Sequence, residues 1–323
     1  MKKLCVLFLL TMTCFAATAE DSGIESALRD TYTNCIGIDD ALHDMKVKAG
    51  INTAVTGVGT GLGIGATATG IAKAHVDATI EQKFNELQNL SYTAVGQENE
   101  ATPEEFLAIA RDLISTTEFT VANSNSSEKK NSNTKEMDLL ANDINQLNTK
   151  SKKLGNWRTG LLAGNTATNI AGAAIAGTNK VKEPLEKQIE NCKTSVKALR
   201  KAISQAKFNG EDVSEATQIE SACSGFEYID ISKINNRATG SMASSIVGAG
   251  TGTVGTIVSA VANSDNVRND TDKAKEKNLN TAANVLSAGS TVASATATIF
   301  NATQIKAIKE VAEVASKCTE VLK

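Results

Sequence analysis

Two histidines, six cysteines and one glycine-rich hexapeptide are the groups through which this chain of 323 residues could do chemistry. His43 and His75 have no Cys or His at ligand spacing, so they do not make a zinc site and read as solvated helix residues. Gly250-Thr251-Gly252-Thr253-Val254-Gly255 matches G-x-G-x-x-G. That motif binds a dinucleotide only between a strand and a helix, with an acid about 20 residues on. Here it lies inside a glycine-periodic, uncharged stretch. The adjacent acids Asp39-Asp40 and Glu104-Glu105 do not face each other on a helix and read as cap or surface charges. No G-x-S-x-G or S-x-x-K setting singles out a serine. The expectation is a non-enzyme with no catalytic residue, metal, cofactor or small-molecule substrate.

The cysteines carry a structural reading instead. Residues 1–19 have the parts of a secretory signal: Lys2 and Lys3, a short apolar run, and Ala17-Thr18-Ala19 before Glu20. Cleavage there leaves Cys35, Cys192, Cys223 and Cys318, an even number in an exported chain, which suggests two disulfides. It also lowers the net charge from −3 to −5, because two lysines and no acid are lost. With no basic excess and no basic patch in view, nucleic acid is not an expected partner.

The elements that must position these cysteines are long helices. Pro is nearly absent (2) and aromatic residues make up only 4%. Four stretches carry no charge at all, residues 49–72, 159–179, 238–264 and 278–305, and they hold most of the 23 glycines. Small residues recur within them at steps of four. Gly57, Gly61 and Gly65 form one row. Gly160, Gly164, Thr168 and Gly172 form a second, and Gly240, Ser244, Gly248 and Gly252 a third. The fourth is Ala283, Ser287, Thr291 and Ala295. Residues at i and i+4 share a helix face, so these rows read as glycine zippers along which helices approach closely. Apolar seams flank them at three- and four-residue steps, as in a coiled coil. They run over Val76 to Leu90, Met137 to Leu154, Val181 to Ile203 and Ile305 to Leu322. Trp157, beside the second stretch, reads as a helix-packing residue in preference to a membrane-interface anchor.

The order Cys, stretch, stretch, Cys occurs twice, and Ile24-Glu25-Ser26-Ala27 echoes Ile219-Glu220-Ser221-Ala222. The chain therefore reads as two tandem antiparallel helical hairpins, able to pack as an elongated four-helix bundle. In each half the two cysteines lie at nearly equal distances from the middles of their stretches, within about two residues, or ~3 Å of helix. That favours Cys35–Cys192 with Cys223–Cys318 over the nested pairing Cys35–Cys318 with Cys192–Cys223. The expected division is a signal peptide at 1–19, a first hairpin at 20–205 and a second at 206–323. The first hairpin carries an inserted tip at 91–133. There Thr102-Pro103-Glu104-Glu105 starts a short helix, and a mobile Ser/Asn/Lys-rich segment covers 121–133. Pro184 kinks or begins a helix, and the second hairpin turns at about 263–277.

Two functions suit this plan. The first is a non-catalytic scaffold or interaction protein of the periplasm, cell surface or extracellular space, bound to a protein partner or to itself through its helices. The second is a membrane-inserting hairpin protein: a pore-former, translocator or envelope anchor. Stretches of 21 to 28 uncharged residues are long enough to span. Their Thr, Ser and Asn content makes insertion marginal by composition.

Overall fold

The computed structural model describes residues 23–95, 127–268 and 273–323. The expected signal peptide and the helix expected from Thr102 lie outside the described residues. Those described are helical, with no strand among them. In chain order the helices are α1 (Gly23–Cys35), α2 (Ile38–Val95), α3 (Ser127–Thr178), α4 (Glu183–Phe208), α5 (Ser214–Cys223), α6 (Ile231–Ala262), α7 (Asp265–Arg268) and α8 (Lys273–Leu322). A 3-10 turn, Ser224–Tyr228, follows α5.

Local chemistry explains the breaks. Gly37 sits between α1 and α2 at φ +82°, and Gly210 follows α4 at φ +79°. Both conformations favour glycine. Beyond α4 the Glu211 amide donates to the Ala206 carbonyl at 3.0 Å, closing the helix end. Pro184 begins α4 and does not kink a longer helix. Lacking an N–H and clashing with the carbonyl four residues back, it is accepted only in a first turn. The chain therefore leaves α3 at Thr178 and restarts at Glu183. The tip expected at 91–133 is narrower, since α2 runs on to Val95 and α3 starts at Ser127. Helix propagates cheaply from a packed segment once nucleated, and the Lys and Glu of 127–136 are good helix formers. The expected mobility of 127–133 is thus corrected to helix.

The helices divide into two compact units. Unit 1 comprises the chain up to Thr53, Ile175–Ser241 and Ile299–Lys323; unit 2 comprises Ala54–Ala174 and Met242–Thr298. Helices α2, α3, α6 and α8 contribute residues to both.

Unit 1 holds an apolar core beside buried polar residues at Asn52, Asn179, Ser241, Asn301 and Gln304. Ile38, Leu42, Ile189, Leu199, Phe226, Ile234 and Ile308 are fully or almost fully buried in one cluster. One disulfide joins Cys35 at the end of α1 to Cys192 in α4, and the other joins Cys223 at the end of α5 to Cys318 in α8. These are the partners that the equal-distance argument favoured. On its surface Arg200 bridges Glu220 at 2.7 Å and Glu227 at 2.9 Å. Those hydrogen bonds raise its pKa.

Candidate functional site

In unit 2 the buried positions advance by alternating steps of three and four. On α2 they are Thr56, Gly59, Gly63, Ala66, Gly70 and Lys73; on α3, Arg158, Leu162, Asn165, Asn169 and Gly172. On α6 they are Ser245, Gly248, Gly252, Gly255, Ser259 and Ala262; on α8, Asn280, Ala283, Ser287, Ser290, Ser294 and Ala297. The mean step of 3.5 is the period at which supercoiled helices keep one face on their partners. Leu162 is the one large aliphatic side chain among these positions.

The interior is built of small and polar residues, most of the polar ones hydrogen-bonded, with the Ser245 hydroxyl the exception. Asn165 Nδ2 donates to Ser290 Oγ at 2.9 Å, and Asn169 Nδ2 to Ser294 Oγ at 2.8 Å. Ser290 Oγ donates in turn to the Gly248 carbonyl at 2.8 Å. Thr67 and Ser287 hydroxyls meet at 3.0 Å. The fully buried Arg158 donates Nε to Ser259 Oγ at 2.9 Å, Nη1 to Asn284 Oδ1 at 2.9 Å and Nη2 to Asn280 Oδ1 at 3.0 Å. Lys73, also buried, reaches Asp77 at 2.6 Å and Glu276 at 3.3 Å, and Ser151 donates to the same Asp77. Such groups are tolerated inside only when their donors and acceptors are matched.

The exterior of the same segments is the reverse. On α2 between 54 and 72 the exposed residues are Ala54, Val58, Gly61, Ile64, Ala68, Ile71 and Ala72. On α3 between 160 and 174 they are Gly160, Ala163, Ala167, Ile170, Ala171 and Ala174. On α6 between 242 and 262 they are Ala243, Ile246, Val247, Gly250, Thr253, Val254, Ile257, Ala260 and Val261; on α8 between 282 and 298, Ala282, Val285, Ala288, Gly289 and Val292. Thr253 is the one polar residue among them, and its hydroxyl bonds to the Ala249 carbonyl at 2.8 Å. Half-buried threonines do likewise: Thr60 with Thr56, Thr69 with Gly65 and Thr166 with Leu162. Their hydroxyls thus need no water.

Elsewhere in unit 2 the pattern returns to the ordinary one. Leu87, Met137, Leu140, Ala141 and Ile144 bury one another, with Ile80, Phe84 and Leu90 against them. The exposed residues there include Glu81, Gln82, Asn85, Glu86, Glu136, Asp138 and Asp143. The inversion therefore falls within the uncharged stretches, near whose ends Thr178, Thr239, Asn278 and Thr281 are exposed polar residues.

The zipper glycines divide. A methyl group on Gly57, Gly61 or Gly160 would meet nothing within 4 Å. Steps of four advance about 40° each around a helix of 3.6 residues per turn, so these rows drift out of the seam. Gly65 and Gly164 lie at its edge, where a Cβ would stand 3.4 Å from Leu161 and 3.1 Å from Leu62. Gly248 and Gly252 are in it, facing Asn169 at 2.8 Å and Thr166 at 2.5 Å, and Gly172 is buried. In unit 1 Gly240 lies under Phe300, 2.8 Å from where its Cβ would be. Cys35, Cys192, Cys223 and Cys318 are buried in the unit 1 core. Trp157, read as a packing residue, is 67% exposed. The seam there takes Gly155 and Arg158 instead, and the indole flanks a shallow surface hollow beside Asn156, Gly160 and Leu161.

His43 and His75 are exposed, and the G-x-G-x-x-G run is interior to α6. Among the described residues no three His, Cys, Asp or Glu side chains converge on a metal position. Sequence reasoning missed Lys73, Arg158, Asn165, Asn169, Ser290 and Ser294. Their signal was present as polar residues at heptad spacing: Asn165, Asn169, Ser290 and Ser294 within the uncharged stretches, Lys73 and Arg158 at their edges. No family model, curated protein or solved structure matches this chain.

Proposed function

We propose that this protein is an exported, non-catalytic membrane protein that inserts the uncharged segments of α2, α3, α6 and α8 into a lipid bilayer. The inversion of unit 2 carries the reading: polar side chains bonded to one another inside, and Ala, Gly, Val and Ile outside. Water favours the opposite arrangement, whereas hydrocarbon demands that polar groups be satisfied internally.

Three further observations support it. The stretches of 24, 21, 27 and 28 residues measure roughly 31–42 Å as helix, against a hydrocarbon core of about 30 Å. Trp157 stands exposed at the charged edge of its stretch, where an indole suits the headgroup level. By length and mean hydropathy α6 alone, among the described helices, is apolar enough to cross a membrane, and only a third of its apolar window is buried. On α3 and α8 composition counts Asn165, Asn169, Ser287, Ser290 and Ser294, all of which are buried. The glycine zipper contributes where its residues enter the heptad seam, at Gly248, Gly252 and Gly172.

In this reading the chain is two disulfide-closed hairpins, 20–205 and 206–323. Each disulfide stays within one half, and two disulfides fit an oxidising compartment. A carbonate wash of host membranes tests the assignment, which needs the protein in the pellet. Trp157, the only tryptophan, supplies a second readout. Its emission should shift to the blue on adding vesicles, and quenchers placed near the headgroups should act more strongly than deep ones. Release by carbonate, with unchanged emission, would return the protein to the scaffold reading, with further copies covering the apolar exterior.

A further inference from the structure

The charges that flank the uncharged stretches in unit 1 are basic on every helix: Lys46 and Lys48 on α2, Lys180 and Lys182 after α3, Lys233 and Arg237 on α6, Lys306 and Lys309 on α8. Hydrogen bonds within unit 1 put them at one level. Asn52 on α2 donates to Asn301 on α8 at 2.9 Å and reaches Ser241 on α6 at 3.5 Å. Gln304 donates to the Asn179 carbonyl, and the Val181 amide to Asn235, each at 2.8 Å. Each basic pair lies within about two turns of one of these tied residues.

Six of the eight basic side chains are exposed, and Lys46 and Lys180 are half-buried. Lys309 pairs with Glu313 at 3.6 Å; among the described residues no ion pair involves the other seven. The acids nearest in sequence are Asp44, Glu183, Asp230 and Glu310. Glu183 pairs with Lys187 at 2.6 Å, and Asp230 caps Ser232, accepting from its amide at 3.0 Å. This is a basic collar on a chain whose net charge is negative, and it corrects the expectation of no basic patch. The residues come from four separate segments, and only the fold collects them.

In unit 2 several of the charges next to the stretches are treated differently. Lys73 and Arg158 turn inward to polar partners, and Lys152 pairs with Asp265 at 2.8 Å. Lys153 and Lys277 there are exposed and, among the described residues, in no ion pair, so the contrast is one of grouping: in unit 1 the basic residues beside all four stretches are tied to one level. We infer that the collar binds the phosphates of anionic phospholipid headgroups and makes membrane association depend on an anionic surface. The inference rests on the bilayer reading above. A cationic ring next to apolar segments is what a negatively charged leaflet attracts, and each Lys or Arg near such a surface strengthens binding about fivefold.

The test is flotation of the full, oxidised protein with vesicles of phosphatidylcholine alone, or with 30% phosphatidylglycerol. Binding should favour the anionic vesicles and weaken as salt rises. Lys48→Gln, Lys182→Gln, Arg237→Gln and Lys306→Gln together should lower anionic-vesicle binding by several hundred-fold, at about fivefold each. A matched variant, Lys197→Gln, Lys201→Gln, Lys207→Gln and Lys317→Gln, removes the same charge elsewhere in unit 1 and should bind almost normally. Circular dichroism of both variants controls for folding. Equal binding to both vesicle types overturns the collar and leaves insertion standing. Binding to neither overturns both. Competition by inorganic phosphate beyond that of sodium chloride at equal ionic strength would indicate a discrete phosphate site and overturn the surface reading. Collar-dependent binding to duplex DNA in place of anionic vesicles would do the same in favour of nucleic acid.

Discussion

Leu42 in unit 1 and Asn165 in unit 2 are both fully buried at seam positions. One is surrounded by Ile38, Cys35, Ile189 and other apolar groups. The other is held by Ser290 and Ser294. Outside the seams the contrast reverses. Lys48, Arg200 and Lys306 are exposed in unit 1, while Val58, Ile64, Val254 and Ile257 are exposed in unit 2. The seam spacing is shared and the filling is not. Heptad geometry therefore sets how the helices meet in both units, and the side chains that face out differ between them. The lower parts of α2 and α3, with Leu87 and Ile144 buried and Glu81 and Asp143 exposed, show the change within a single unit.

Truncation should separate the two regions most widely. Leu42→Ala and Leu199→Ala remove buried aliphatic groups from unit 1 and should cost about 2–5 kcal/mol each. Ile64→Ala and Ile257→Ala, at 57% and 59% exposure, should stay within about 0.5 kcal/mol. Chemical denaturation in mild detergent, where both units are solvated, measures all four. Large losses at Ile64 or Ile257 would mean that a protein partner packs there, and the inverted exterior would lose its meaning.

Much of this architecture was legible in the chain. The uncharged stretches, the helical class and the cysteine partners follow from charge, Pro scarcity and spacing, while Pro184 suits either a kink or a helix start. Orientation within the stretches was not legible. Gly, Ala, Ser and Thr differ too little in size and polarity to mark an inner face, so steps of four and of three and a half could not be told apart over a few turns. Trp157 was misjudged because apolar residues were taken to point inward, and here they point outward. The collar was invisible because net charge sums over segments that only folding brings together.

A charge on the inverted exterior should have the next largest effect. Ile257→Asp and Val254→Asp place a carboxylate on α6 at exposed positions. In water or detergent, surface substitutions of this kind change stability little. In the middle of a bilayer an Asp costs about 2.5–3.5 kcal/mol, so vesicle association should fall on the order of 100-fold. The same substitution at exposed Glu86 or Lys197, outside the stretches, should leave association unchanged. Vesicle flotation beside far-UV circular dichroism separates the two effects. Unimpaired flotation of Ile257→Asp would place α6 outside the hydrocarbon.

The smallest effect concerns two glycines that sequence periodicity treats alike. At Gly61 a Cβ has open space, so Gly61→Ala should gain most of the ~1 kcal/mol by which Ala exceeds Gly in a helix. At Gly248 the same methyl would stand 2.8 Å from the Asn169 side chain. Asn169 is not free to yield, because it is tied to Ser294 at 2.8 Å and to the Asn165 carbonyl at 3.0 Å. Overpacking of this kind costs about 1–3 kcal/mol, which outweighs the gain in helix propensity. The two variants should therefore move the thermal midpoint in opposite directions, Gly61→Ala upward and Gly248→Ala downward. A double variant, Gly248→Ala with Asn169→Ala, relieves the clash but takes from Ser294 Oγ the donor it accepts from, leaving it Asn165 and the Ser290 carbonyl, and so should recover only part of the loss. If both single variants raised the midpoint equally, the Asn169–Ser294 seam would be loose, and the tight polar interior on which the contrast with unit 1 depends would fail.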